Sequence, residues 1–123
     1  MIRAYIICEG MRPGTSLGDL DAHLLTVERD AVSNAAPNQP KVWTVVTFET
    51  SLEPARLAAK FSEILSDSPS VWYTHFRAGG ELFVVFPHRV FRYRVGNEGQ
   101  RKVAQEYARS IGVPQPQIDW DEQ

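Results

Sequence analysis

A single α+β domain is the fold class this sequence predicts: a largely antiparallel sheet with two or three helices packed on one face, a two-layer sandwich. Three observations carry the prediction. Residues 71–95 (VWYTHFRAGGELFVVFPHRVFRYRV) alternate side-chain character around two short turn signals, the pattern of three antiparallel strands. Residues 2–8 (IRAYIIC) and 41–50 (KVWTVVTFET) are further runs rich in β-branched and aromatic residues. Between and after these runs lie segments with apolar residues at helical spacing, bounded by helix start and stop signals.

Each element follows from local chemistry. Residues 2–8 form a first strand, and the loop at 9–18 (EGMRPGTSLG) follows it. That loop has turn residues and Arg12, but its glycine spacing matches no nucleotide-binding fingerprint and it lacks the P-loop lysine. Over 19–34, Leu20, Leu24, Val27 and Ala31 lie on one helical stripe behind a capping box of Ser16 and Asp19, which favours a helix. The competing reading is a strand over 23–32, hairpinned through a polar loop to the strand at 41–50. Ser51 and Pro54 then open a helix with Leu57, Phe61, Ile64 and Leu65 on its apolar face. The last helix starts at Asn97, buries Val103, Ala104, Tyr107, Ala108 and Ile111, and stops at Gly112 and Pro114. Ile118 and Trp120 in the tail are expected to dock on the fold.

The registers within 71–95 depend on the turns. A three-residue loop Ala78-Gly79-Gly80 places Arg77 opposite Glu81, and a four-residue loop 87–90 lets Pro87 occupy a type I turn and pairs Phe86 with Phe91. One face is then apolar, through Trp72, Phe76, Leu82, Val84 and Phe86. The other is mixed: Tyr73, His75 and Arg77 stand beside Glu81, Phe83 and Val85, with Arg92 and Arg94 on the third strand.

Composition bounds what such a face can do. The 123 residues, 43% hydrophobic and 23% charged, suffice for one core spanning 1–123 and fall outside the disordered range. A net charge of −2 argues against nucleic acid and anionic membranes as general partners. Charge is uneven, however: basic residues dominate 71–112, whereas Asp119, Asp121 and Glu122 make the tail acidic. Cys8 is the only cysteine and sits in an apolar run, which excludes an internal disulfide and points to an inert buried thiol. His23, His75 and His88 lack ligand-like spacing, so neither a metal nor another cofactor is expected. With no apolar run of membrane length and no signal-peptide layout, a cytoplasmic location is expected.

The expected function is non-catalytic binding of a small anionic or planar ligand, or of a protein partner, through the mixed face. Tyr73, Arg77, Phe83, Arg92 and Arg94 would make the contacts, by stacking and by pairing with anions. A second reading is a small acid/base enzyme in which His75 and Glu81 form the catalytic pair. A third is single-stranded nucleic-acid binding by stacked bases, and a fourth buries the face in a homodimer.

Overall fold

The computed structural model describes residues 1–122. Strands β1 (Ile2–Ile7), β2 (His23–Ala31) and β3 (Val42–Thr50) form one antiparallel sheet in the order β1-β3-β2. Helix α1 (Pro54–Ile64) leads to β4 (Thr74–Ala78), β5 (Glu81–Phe86) and β6 (Arg89–Arg94), a second antiparallel sheet with β5 central. Helix α2 (Glu98–Ser110) and a 3-10 turn at Gln115–Gln117 precede the tail. The α+β class, the antiparallel pairing and the two helices are as the sequence predicts. No helix among the described residues is long and apolar enough to cross a membrane.

The two sheets meet along β1 and β4, where Thr74 Oγ1 donates to the Tyr5 carbonyl at 2.7 Å. One core runs beneath both: Ile2, Ala4 and Ile6 of β1 and Phe76 and Phe83 of the second sheet pack with Leu57 and Phe61 of α1. A second core lies on the opposite side of β5, where Leu82, Val84 and Phe86 meet Ala104 and Ala108 of α2 and Trp120 of the tail. The helices thus divide between the two faces of the second sheet. β5 is buried on both sides, which is why it reads as the unbroken apolar run LFVVF.

Both turns of the second sheet are tighter than expected: the pairing of β4 with β5 moves by one residue and that of β5 with β6 by two. Ala78 pairs with Glu81, leaving a two-residue Gly79-Gly80 turn, and Arg77 faces Leu82 rather than Glu81. Only Gly79 of the pair has a positive φ, +61°, which is the type II′ pattern. At the second turn Phe86 pairs with Arg89, not Phe91. Pro87, with its φ fixed negative, excludes a primed turn, but His88 takes φ +61° and so completes a type II turn. Histidine is among the residues that tolerate this region.

The helix expected over 19–34 is a correction as well. A 3-10 turn at Gly18–Leu20 is followed by β2, paired with β3. The register shifts between Leu24 and Thr26, so Leu24 faces Phe48 and Val27 faces Val46. A bulge therefore puts residues three apart on one strand face, which imitates a helical stripe. Ser51 does not cap α1: Glu53 holds that position and Ser51 Oγ donates to Asp21 Oδ2 at 2.5 Å. Asn97 does cap α2, accepting from the Gln100 amide at 3.1 Å.

Candidate functional site

The two-residue Gly79-Gly80 turn splits the mixed face: a shift of one residue swaps the faces of β4 relative to β5, whereas the shift of two leaves β6 on its expected faces. Thr74, Phe76, Phe83, Val85 and Arg92 share one side of the second sheet, while Tyr73, His75, Leu82 and Val84 share the other. His75 lies in register with Val84 and Glu81 with Ala78, so the acid/base pair read from sequence stands on opposite faces. Phe83 is buried, stacked on Phe76 at 4.9 Å between ring centres, with the Arg92 guanidinium over its ring. Arg92 in turn holds Glu81 through two bonds of 2.9 and 2.7 Å, and this pairing keeps the Glu81 carboxyl below its usual range. Arg94, the Cα partner of Glu81, is exposed on the same side. These residues seal the rim of the α1 core; Phe83 and Val85 offer no open surface for a ligand or a second copy of the chain.

Tyr73, His75 and Arg77 remain together on the other face, but Tyr73 is engaged within the fold. Its hydroxyl donates to the Gln117 carbonyl and its ring packs against Phe86 and Trp120. Burial pushes its pKa up.

His75 and Arg77 open instead on a groove of about 630 Å³ at the junction of the sheets, lined also by Arg3, Tyr5, Thr47 and Asp121. The alternation of β1 explains the new members. Ile2, Ala4 and Ile6 turn into the α1 core, so Arg3 and Tyr5 face the other way, beside Thr47 of β3. In sequence, the polar parity of Arg3 and Tyr5 within IRAYII was the available signal.

Tyr5 and His75 are coupled directly. The Tyr5 hydroxyl lies 3.1 Å from His75 Nδ1, with the rings edge to face, and Asp121 Oδ1 lies 3.7 Å from His75 Nε2. A carboxylate beside Nε2 favours a proton there, which leaves Nδ1 as the acceptor for the tyrosine hydroxyl. Burial lowers the His75 pKa against the opposing pull of Asp121, so the ring is held neutral at pH 7. Burial also pushes Tyr5 up to about 12. Arg77 is anchored by Nε to the Gly79 carbonyl (2.9 Å) and by Nη1 to the Glu122 carbonyl (3.2 Å); neither contact uses Nη2. Arg3 makes no side-chain hydrogen bond or ion pair among the described residues.

The lowered His75 pKa has a consequence for stability. As pH falls below the ordinary histidine value of 6.5, the unfolded chain takes up the proton before the folded one. The contribution of neutral His75 is complete above that value and is lost as pH drops through the folded pKa. Urea denaturation at pH 7.5 and pH 5.5 should therefore show a lower midpoint at the acidic pH. The substitution His75→Asn should flatten that difference; an unchanged difference would place the acid sensitivity elsewhere.

Away from the groove, Cys8 is partly buried, and burial together with Glu9 pushes its thiol pKa up, away from the reactive thiolate. No protein-family model, curated protein or solved structure matches this chain.

Proposed function

We propose that this chain is a binding protein for a small anionic ligand with a planar or apolar body, held in the groove between β1 and β4. The observation that carries the reading is the pairing of Arg3 and Arg77, from adjacent strands, around a groove that also presents Tyr5 and Thr47 hydroxyls and the apolar side chain of Val45. Two guanidinium groups flanking one concavity suit a carboxylate or phosphate, which they can engage with paired bonds. The cationic lining exceeds the one carboxylate, Asp121, that shares it.

Binding is favoured over catalysis by the state of the titratable groups. Both His75 nitrogens already face partners, and a tyrosine raised to about 12 is a poor base at neutral pH. The proposal keeps His75 and Arg77 from the face read in sequence and replaces Phe83, Arg92 and Arg94 by Arg3 and Tyr5.

The test is chemical-shift mapping of labelled protein with benzoate, phenyl phosphate and adenosine monophosphate. Binding should perturb Arg3, Tyr5, His75 and Arg77 together. Arg3→Ala should weaken the best of the three about tenfold, the usual worth of a charge-assisted hydrogen bond, without altering the melting curve. Shifts elsewhere, or affinity indifferent to Arg3→Ala, would overturn the reading.

A further inference from the structure

A second, smaller cavity of about 110 Å³ borders the groove, and Tyr5 lines both. Its other walls include Trp43, Trp72 and Tyr73, and Asp119 is the only charged residue in its lining. Four aromatic rings thus surround one small space. Each ring, moreover, is held in place by a neighbour. Trp43 Nε1 donates to the Pro40 carbonyl at 2.8 Å, and its indole meets Trp72 edge to face at 5.1 Å. Trp72 is pressed by the backbone of Gly10, Tyr73 is tied to the Gln117 carbonyl, and Tyr5 is tied to His75. Rings held this way need no reordering when a ligand enters, which is the condition for affinity in so small a site.

The charge at the cavity is opposite to that of the groove. Asp119 is exposed and makes no hydrogen bond or ion pair among the described residues. Its field nevertheless reaches the rings: it is among the groups that raise the pKa of Tyr5 and Tyr73. Aromatic rings attract cations through their negative faces, and a desolvated cage of rings with an acidic residue is the arrangement that recognises quaternary ammonium groups. A neutral apolar guest would gain nothing from the carboxylate, and an anion would be repelled by it.

We infer that this cavity binds the head group of a methylated ammonium ligand, held among Trp43, Trp72, Tyr5 and Tyr73, with Asp119 as its counter-charge. The cavity's volume of about 110 Å³ is enough for a compact head group such as trimethylammonium. The inference does not rest on the anion groove, because the two sites differ in charge and share only the Tyr5 side chain.

Choline and its uncharged carbon isostere, 3,3-dimethylbutan-1-ol, provide the test, followed through the indole N–H resonances of Trp43 and Trp72 with Trp120 as internal reference. Choline carries no anion, so its failure would say nothing about the groove. Choline should shift both cavity indoles, and the isostere should bind about tenfold more weakly, the difference expected of a desolvated cation–π contact. Asp119→Asn, an exposed position that leaves the core untouched, should weaken choline about fivefold, and Asp119→Lys should weaken it further. Equal binding of choline and the isostere would make the cavity merely apolar and overturn the inference. So would choline binding unaffected by either substitution, or the absence of any shift at Trp43 and Trp72.

Discussion

Phe83→Ala should lower the unfolding free energy by about 3–5 kcal/mol, the usual loss for a buried phenylalanine. Phe83 is 1% exposed and lies nearly parallel to Phe76, with an interplanar angle of 7°. Truncation removes that stacked pair, opens a cavity beside α1, and strips the ring from beneath the Arg92 guanidinium. On the exposed mixed face read from sequence, the same substitution would change stability by no more than about 0.5 kcal/mol. Urea denaturation distinguishes the two by a wide margin. A small effect would mean that Phe83 faces solvent and that the register of β4 and β5 is off by one residue.

Five of the six strands were legible because they depend on runs of β-branched and aromatic residues, β2 was not because its bulge imitates a helical stripe, and α2 was legible because Asn97, Gly112 and Pro114 mark its ends. Register was not legible, for a reason specific to this chain. Gly79-Gly80 satisfies both a two-residue and a three-residue turn, since glycine accepts either backbone. From sequence, the choice between them rests on which register gives one clean apolar face. That criterion fails when a strand is covered on both sides, as β5 is by α1 and α2. The run LFVVF carried the warning, with apolar residues at both parities. At the second turn, proline excludes the primed types, but the tolerance of histidine for a positive φ leaves type II open.

The groove was half legible. His75 and Arg77 stood out as polar residues within an apolar strand pattern. Arg3 and Tyr5 reach them only because β1 lies alongside β4, some seventy residues away in the chain, a pairing that no local signal in β1 announces. Asp121 depends on the tail folding back, which Trp120 directs: its indole N–H donates to Tyr93 Oη at 3.0 Å, and its carbonyl accepts from Arg101 Nη2 at 2.6 Å. Asp119 and the cavity rings were each visible singly. Only the fold brings Trp43 and Trp72 together.

Gly10→Ala should be nearly as damaging as loss of Phe83, through excess rather than missing volume. A Cβ at Gly10 would lie 2.7–2.8 Å from three atoms of Trp72, inside any tolerable contact. Neither side can readily give way. The Gly10 carbonyl accepts from the Ser66 amide at 2.9 Å, and the Trp72 amide donates to the Ser66 carbonyl at 3.1 Å, so both residues are tied to the same point. The expected cost is about 3 kcal/mol, at the upper end of overpacking, with a fall in melting temperature on the order of 10 °C. Because Trp72 must move, its indole resonance should shift more than that of Trp120. A melting curve like that of the parent would show that the two segments can separate freely.

The register of β4 on β5 decides which side chains reach the groove, and cross-strand nuclear Overhauser contacts read it directly. The structure predicts contacts that pair His75 with Val84 and Arg77 with Leu82. Contacts pairing His75 with Phe83 and Arg77 with Glu81 would restore the mixed face, remove His75 from Tyr5, and contradict the groove on which the binding proposal stands.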